Sequence, residues 1–210
     1  MNTNNISEVT ILRLSIYNRL LRRLESEGVG IITSLEMGNI IGLSAHQIRK
    51  DLSYFGYFGT AGKGYCVRGL INAISLILGV TRKWEVALVG AGNLGRELYT
   101  YPEFRERGFN IVAVFDNDLS KVGKRLDNVF IKDISELPKT VKELNIRIGI
   151  IAVPAIVSQK IANLLNSSGV KAILNFAPSV ITVPEGVKLL TTNPCTELEC
   201  LSYFLSQIRK

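Results

Sequence analysis

A glycine-rich turn, Gly90-Ala91-Gly92-Asn93-Leu94-Gly95, constrains the fold of this chain more than any other feature. It lies between an apolar run at residues 85–89 and a helix-like segment. In that setting the first glycine permits a tight strand-to-helix turn, the second lets the backbone approach a pyrophosphate, and the third lets the helix pack on the strand. Helix amides then receive the phosphate charge. The turn predicts a Rossmann dinucleotide site, with a phosphate-free glycine turn as the alternative.

The residue that follows the next apolar run predicts which dinucleotide binds. The run at residues 110–115 ends in Asp116, 21 residues after Gly95, which is about where this fold places a ribose-binding acid. A carboxylate there accepts a hydrogen bond from the ribose 2′-hydroxyl and repels a 2′-phosphate. The sequence therefore predicts NAD+ or NADH rather than the NADP forms.

Apolar runs and helix-like segments alternate after residue 85, which is typical of an α/β fold with a doubly wound parallel sheet. We predict strands near residues 85–90, 110–115, 128–131, 147–153, 171–175 and 187–191, and helices at about 93–107, 134–144, 155–168 and 196–207. Two strand ends, Val153-Pro154 and Asn175-Phe176-Ala177-Pro178, would face the cofactor crevice of such a sheet. Each is either part of the nucleotide site or an ordinary strand-to-helix turn.

The first part of the chain has the pattern of a helix-turn-helix unit. Apolar residues recur at helical spacing between about residues 9 and 27. Thr33 and Glu36 then form a capping box for a short second helix, which Gly42 ends. Three helices in this order, the last with a polar and basic outer face, are expected of a DNA-binding domain.

The third helix carries that outer face. Ser44 caps it, with Gln47 as the reciprocal member of a capping box. We predict that the buried side chains of this helix are Ala45, Ile48, Leu52 and Phe55, and that the outward ones are His46, Gln47, Arg49, Lys50 and Ser53. Residues 57–67 interleave aromatics with glycines and predict a wing hairpin, followed by an apolar connecting helix at 68–79.

Positive charge is concentrated in this first part. The formal net charge is +7, and residues 1–84 hold ten Lys and Arg against five Asp and Glu, whereas residues 85–210 hold fifteen against thirteen. Arg49 and Lys50 could form an inert solvated face, but the excess and the predicted wing favour double-stranded DNA as the partner.

Other classes of protein are disfavoured. Three cysteines without CxxC spacing and a single histidine do not make a zinc site, and they indicate free thiols in a reducing cytosol. No apolar run reaches the ~18 to 20 residues that a membrane helix needs, and we expect no export signal and a cytoplasmic protein. We predict a winged-helix domain at 1–80, a Rossmann domain at 85–192 and a C-terminal helix at 193–210.

The residues alone leave three functions open. An NAD-dependent oxidoreductase needs a proton donor or acceptor near the nicotinamide, yet no histidine follows Trp84 and no tyrosine begins a Tyr-x-x-x-Lys pair. A regulator whose DNA affinity depends on the nucleotide explains both halves of the chain, and we predict no catalytic residue. A cofactor-binding subunit of a larger enzyme is the third possibility.

Taken together, these motifs resemble the Rex family of redox-sensing transcriptional repressors over nearly the whole chain. The recognition-helix signature is residues 47–56, the wing match is Gly64-Tyr65, and the nucleotide-domain matches are residues 88–95, Tyr101-Pro102, Phe115-Asp116, Val153-Pro154 and residues 175–178. Leu201-Ser202-Tyr203 is similar to the start of the family's last helix.

The resemblance implies a homodimer whose C-terminal helices are exchanged. Such a dimer binds a palindromic operator in its apo or NAD+ state and releases it on binding NADH, which derepresses genes of NADH reoxidation. The resemblance also places Tyr101 near the nicotinamide. It extends the expected DNA contacts, which become Arg13, Arg19, Ser44, His46, Gln47, Arg49, Lys50, Ser53, Tyr54, Lys63 and Tyr65.

The chain departs from the family's pattern at three positions. Ala61 replaces the usual basic residue at the wing tip, with Lys63 two places later. Asn193 stands where an acid often precedes the last helix, which puts in doubt a switch built on an acid that pairs with Tyr101 or Arg19. Ser7 replaces a proline and is expected to cap the first helix.

Overall fold

The computed structural model describes residues 6–60 and 62–208, and it divides into two compact units, Met1–Arg82 and Lys83–Lys210. The boundary falls in the polar segment between the predicted domains. Ala61, where the predicted wing departs from the family pattern, lies outside the described residues.

The N-terminal unit combines four helices with a small antiparallel sheet in the part of the chain described. Its elements are α1 (Glu8–Ser26), β1 (Ile31–Ile32), α2 (Ser34–Ile41), α3 (Ala45–Ser53), β2 (Gly59–Thr60), β3 (Gly64–Cys66) and α4 (Val67–Ile77). The sheet order is β1-β3-β2, so the predicted hairpin forms and β1, which was not predicted, pairs with its second strand.

Local capping explains where these helices begin and end. The Ser7 side chain accepts a hydrogen bond from the Thr10 amide and caps α1, and the Thr33 and Glu36 capping box is complete at α2. Gly42 adopts φ +72° at the end of α2, a conformation that favours glycine. The start of α1 and both ends of α2 are thus fixed by local sequence.

The capping box predicted for α3 is only half present. The Ser44 hydroxyl accepts from the Gln47 amide, but the Gln47 side chain donates to Asp51 instead of returning to the cap. The predicted reciprocal cap is therefore wrong, because a buried carboxylate one turn later offers that amide a stronger partner.

One hydrophobic core holds the N-terminal unit together. It consists of Leu14, Tyr17, Leu20, Leu21, Leu24, Ile32, Met37, Ile48, Leu52, Val67, Leu70, Ile71 and Ile74. Helix α4 supplies four of these residues, so it is part of the core rather than only a connector. Of the side chains predicted to be buried on the third helix, Ile48 and Leu52 are buried. Ala45 is only half-buried, as is Phe55, which follows the end of α3.

The C-terminal unit is a Rossmann-like parallel sheet. Its elements are β4 (Trp84–Val89), α5 (Asn93–Thr100), α6 (Pro102–Glu106), β5 (Phe109–Asp116), β6 (Arg125–Leu126), β7 (Val129–Asp133), a 3₁₀ turn (Ile134–Glu136), α7 (Leu137–Glu143), β8 (Ile148–Ile151), α8 (Ala155–Ser167), β9 (Ala172–Asn175), β10 (Lys188–Thr191) and α9 (Pro194–Ile208). The strand order is β10-β9-β8-β4-β5-β7-β6, and β6 alone among the described strands of this sheet runs antiparallel to its neighbour.

The order reverses at β4, whose neighbours are β5 on one side and β8 on the other. Both faces are covered, because alternate residues of β4 enter two cores: Ala87 and Val89 enter one, and Val86 and Leu88 enter the other. In open parallel sheets, ligands bind outside the carboxyl ends of the strands at such a switch point. The glycine turn follows β4 there.

The single helix predicted at 93–107 is wrong. It is broken into α5 and α6 at Tyr101, whose ψ of 109° is extended. The physical reason is Pro102, since proline disfavours helical geometry in the residue before it.

Helix α9 exposes all of its described side chains, including the apolar Leu198, Leu201, Leu205 and Ile208. No helix in the described ranges is both long and apolar enough to cross a membrane.

Candidate nucleotide pocket and DNA-recognition face

The three glycines of the turn have three different physical roles. Gly90 adopts φ +106°, and a Cβ there would collide with the carbonyl oxygen of Ala152 at the end of the neighbouring strand. A Cβ on Gly95 would collide with the carbonyl oxygen of Gly90, so this glycine lets α5 pack against the strand end. A Cβ on Gly92 would meet no heavy atom within 4 Å. Open space at that position leaves room for a pyrophosphate against the α5 amides.

A cavity of about 540 Å³ opens beside this turn, a volume typical of small-molecule sites. It brings together five of the predicted nucleotide-binding residues, namely Gly90, Gly92, Asp116, Val153 and Pro154. It also contains residues that the sequence did not single out, among them Asp118, Lys121, Ser135 and Lys160. These come from the β5–β6 loop, the 3₁₀ turn before α7, and α8, which only the folded sheet brings to one edge.

Asp116 lies at the end of β5 and is 7% exposed. Its Oδ2 accepts hydrogen bonds from the Ala91 amide at 2.8 Å and from Lys121 Nζ at 3.1 Å, and its Oδ1 accepts from the Asp118 amide at 2.9 Å. Burial alone would raise the pKa of Asp116, but these donors outweigh it and hold the pKa below its ordinary value. The group is therefore an anion beside the glycine turn, as a ribose-binding acid must be.

The other predicted nucleotide residues occupy two further places. Ala91 and Gly95 are buried in the turn, while Asn93 and Leu94 are exposed in the first turn of α5. Tyr101, 48% exposed, lies at the α5–α6 break, donates to Glu103 at 3.0 Å and packs edge-on against Phe104. It does not line the cavity beside the glycine turn.

Asn175 organises a loop with its side chain. It is fully buried, its Oδ1 accepts from the Ala177 amide at 2.9 Å, and its Nδ2 donates to the Ala177 carbonyl at 3.1 Å. The segment Asn175-Phe176-Ala177-Pro178 lies outside the lining of the cavity. The Asn175 amide therefore shapes this loop, in which Ala177 is buried, Phe176 is half-buried and Pro178 is exposed.

The outer face of α3 carries the predicted DNA contacts. His46, Arg49, Lys50 and Ser53 are exposed on it, and Tyr54 is exposed directly after its end. Arg49 donates from Nη1 to the Ser34 hydroxyl at 2.9 Å, which holds its guanidinium towards the first turn of α2. Beside it, a groove of about 520 Å³ runs between α3 and the hairpin. Three of its lining residues, Arg49, Ser53 and Tyr65, belong to the predicted DNA contacts.

The remaining predicted contacts differ in their surroundings. Ser44 is exposed and its hydroxyl caps α3, Lys63 is exposed in the hairpin turn, and Tyr65 is half-buried. Arg19 lies on α1, where it already interacts with another group of the protein. Arg13 and Gln47 differ from the other predicted contacts, because both side chains bind the same buried carboxylate.

That carboxylate is Asp51, which the sequence did not single out. It is fully buried on α3, and its Oδ2 accepts from Arg13 Nε at 2.5 Å and from the Tyr17 hydroxyl at 2.7 Å. Its Oδ1 accepts from Arg13 Nη2 at 2.7 Å and from Gln47 Nε2 at 2.8 Å. Burial by itself would raise the pKa of Asp51, but Arg13, Tyr17 and Gln47 outweigh it and lower the pKa.

No cluster of possible metal ligands occurs in residues 6–60 and 62–208. Cys66, Cys195 and Cys200 are exposed free thiols.

Comparisons with known proteins bear on both units. Residues 5–53 match a family model described as a putative DNA-binding protein N-terminus, and residues 81–179 match one described as a CoA binding domain. The chain is 47% identical to the redox-sensing transcriptional repressor Rex of Desulforamulus reducens, with 98% of each chain covered. It is 44% identical to that of Pelotomaculum thermopropionicum, with 99% of this chain and 97% of the relative covered. The chain belongs to the Rex family of redox-sensing transcriptional repressors.

Solved structures agree with this assignment. RSP, a Rex-family repressor in complex with β-NAD+ and operator DNA, matches with a TM-score of 0.92 at 35% identity, over 98% of this chain and 94% of that one. RSP in complex with β-NADH matches with a TM-score of 0.89 at 33% identity, over 97% and 96%. The predicted Rossmann sheet and the predicted family are thereby confirmed. The alternative of an oxidoreductase is not supported, because the Rex relatives are transcriptional repressors.

Of the departures from the Rex pattern, two are explained by helix capping. Ser7 caps α1, as predicted, and Asn193 accepts a hydrogen bond from the Cys195 amide at the start of α9 through its Oδ1. An asparagine satisfies this amide as an aspartate would, but it brings no negative charge.

Acid is expected to destabilise both units through their buried carboxylates. The pKa values of Asp51 and Asp116 are lowered from the ordinary 3.8, so their stabilisation is fully present above that pH and is lost as the pH falls through the lower folded-state values. We expect the urea midpoint of unfolding to be constant from about pH 7 to pH 5 and to fall steeply below about pH 4. Asp51→Asn is the control and should flatten the acid slope. An unchanged midpoint at pH 3 would contradict the assignment.

Proposed function

We propose that this chain is an NADH-sensing repressor that binds operator DNA as a homodimer in its apo or NAD+ state and releases it when NADH binds. The observation that carries the proposal is the full-length match to RSP, a repressor solved with both operator DNA and β-NAD+ and separately with β-NADH. An exposed basic face on α3 and a nucleotide-sized cavity beside the glycine turn support it on this chain's own residues. We place its action in the cytoplasm, where DNA and the NADH pool meet.

The DNA side of the proposal uses exposed basic groups of the N-terminal unit together with the half-buried Tyr65. Arg49 is suited to a bidentate contact with guanine, and Lys50 to a phosphate. Lys63 and Tyr65 of the hairpin, with Arg19 of α1, are proposed to contact the sugar-phosphate backbone. A palindromic operator requires two such units about one DNA turn apart, roughly 34 to 36 Å, which a twofold dimer provides.

The dimer is proposed to form through α9 and the Rossmann unit. Leu198, Leu201 and Leu205 of α9 are each at least 58% exposed. Exposed large apolar side chains in a row mark an interaction surface. A second copy that covers this row would account for a C-terminal helix that buries none of its described side chains.

The nucleotide side fits a dinucleotide. Gly92 leaves room for the pyrophosphate, the α5 amides carry partial positive charge towards it, and Asp116 accepts from the adenosine ribose. We propose that Tyr101 and Phe176 receive the nicotinamide. NADH differs from NAD+ by a neutral ring, which is cheaper to bury than a cation.

The switch follows from that difference. A ligand shifts a conformational equilibrium only by its differential affinity for the two states. We propose that NADH binds more tightly to a dimer form whose α3 helices are misplaced for the operator. NAD+ binds both forms more evenly and leaves the repressor on DNA.

Titration of operator binding tests the proposal. With a fluorescent palindromic AT-rich duplex and saturating NAD+, we expect added NADH to weaken binding about 10- to 100-fold, the usual range of allosteric coupling. NADPH should have little effect, because Asp116 repels its 2′-phosphate. Asp116→Ala should keep apo operator binding and lose most of the NADH response. Equal operator affinity at saturating NADH and saturating NAD+ would refute the proposal.

A further inference from the structure

The Asp51 carboxylate is saturated with donors from two different helices. A carboxylate has about four lone-pair positions, and Asp51 uses four: two for Arg13, one for Tyr17 and one for Gln47. Arg13 and Tyr17 belong to α1, while Asp51 and Gln47 belong to α3. The site therefore joins the two helices at one fully buried point.

This connection is directional, unlike the apolar contact that α3 makes with the core. Ile48 and Leu52 bury apolar side chains, and apolar burial tolerates a small rotation of the helix because it has no preferred direction. Hydrogen bonds lose strength steeply with angle, and a guanidinium meets a carboxylate as a rigid fork. The Arg13–Asp51 pair therefore fixes the rotation of α3 about its own axis.

Rotation of α3 decides what its outer face can read. Arg49 and Lys50 directly precede Asp51 in sequence, and both are exposed whereas Asp51 is buried. A base contact needs a side chain within hydrogen-bond distance of one base edge, whereas a phosphate contact tolerates displacement. A change at Asp51 should therefore weaken base-specific contacts more than it weakens sequence-independent DNA affinity.

We propose that Asp51, held by Arg13 and Tyr17, positions the recognition helix and sets operator specificity, and that Arg13 acts through Asp51 rather than on DNA. The inference rests on the proposed DNA-binding function. Asp51 is the one acidic residue between Glu36 and Glu85 in a basic segment. A negative charge by itself disfavours DNA binding, so the presence of an acid here is explained by its role in holding α3.

Two conservative variants of the full chain separate positioning from DNA contact. Arg13→Lys keeps a cation beside Asp51 but loses the two-pronged geometry, so a phosphate contact would survive and the positioning would not. Tyr17→Phe removes one hydroxyl from a side chain that is fully buried in the N-terminal unit. Arg68→Lys is the matched control, because Arg68 forms an exposed ion pair with Glu25.

The measurement is the ratio of operator affinity to scrambled-duplex affinity, by fluorescence anisotropy at several salt concentrations. Thermal unfolding followed by circular dichroism identifies a temperature at which every variant is folded, and the affinities are measured at that temperature. We expect Arg13→Lys and Tyr17→Phe each to lower the ratio about fivefold or more, the effect of one impaired base contact. Scrambled-duplex affinity and the salt slope should not change, and Arg68→Lys should match the parent chain.

The outcomes decide between the readings. A parent-like ratio in Tyr17→Phe, or in a folded Arg13→Lys, would overturn the positioning role. If Arg13→Lys does not fold, Tyr17→Phe alone decides. A ratio near one in the parent chain would instead refute operator recognition itself, and the positioning role with it.

Discussion

Replacing Arg13 with alanine is expected to destabilise the N-terminal unit by about 3 to 5 kcal/mol, the cost of leaving a buried charge without its partner. Asp51 is fully buried, and Arg13 supplies two of its four hydrogen bonds and its neutralising charge. Urea unfolding followed by circular dichroism measures the loss. Trp84, the single tryptophan, lies at the start of β4, so its fluorescence follows the C-terminal unit as an internal reference.

A matched control distinguishes a buried pair from an exposed one. The Arg68–Glu25 ion pair has side chains that are 81% and 37% exposed, and Arg68→Ala should cost less than about 1 kcal/mol. The double variant Arg13→Ala with Asp51→Ala should recover part of the loss, because no unpaired charge stays buried. Equal losses for Arg13→Ala and Arg68→Ala would show that Asp51 does not need its partner.

Local rules predicted the features that depend on neighbouring residues in the chain. The capping box at Thr33 and Glu36 and the left-handed Gly42 are set within one helical turn, so sequence suffices to place them. The glycine turn is similar, since its three roles follow from the order strand, turn, helix. A local rule also predicts the helix break at Tyr101, because the residue before a proline disfavours helical geometry.

Features that join distant residues were missed for a physical reason. Periodicity assigns a position to a face of its own helix, but it does not say which side chain of another helix meets that face. Gln47 and Asp51 are four residues apart, so they share one side of α3, and the pattern placed Gln47 outward. A lone acid in a basic segment was the available signal for Asp51.

The nucleotide pocket divides in the same way. Gly90, Gly92 and Asp116 follow from a motif with fixed spacing, and they line the cavity. Lys121 also lines it and binds Asp116, yet it lies in a loop for which hydrophobic pattern gives no position. Asn175 was predicted as a nucleotide contact from its place at a strand end, but its amide is consumed by its own loop.

Gly95→Ala is expected to have the second large effect, because the added Cβ would collide with the Gly90 carbonyl oxygen, which is backbone and cannot turn aside. Either α5 moves away from the strand or the glycine turn opens. We expect a loss of roughly 3 kcal/mol or more in the stability of the C-terminal unit, at the upper end for overpacking, together with loss of NADH binding. Trp84 fluorescence in urea measures the first, and NADH fluorescence titration the second.

Gly92→Ala is the matched control, and it separates folding from binding. A Cβ at Gly92 meets nothing within 4 Å and its φ of −76° suits alanine, so the C-terminal unit should keep its stability. The methyl group would nevertheless occupy space reserved for the pyrophosphate, and NADH affinity should fall at least tenfold, or about 1.4 kcal/mol. If a stable Gly92→Ala variant bound NADH as well as the parent chain does, the pyrophosphate would not lie against this turn. The nucleotide would then have to reach Asp116 by another path.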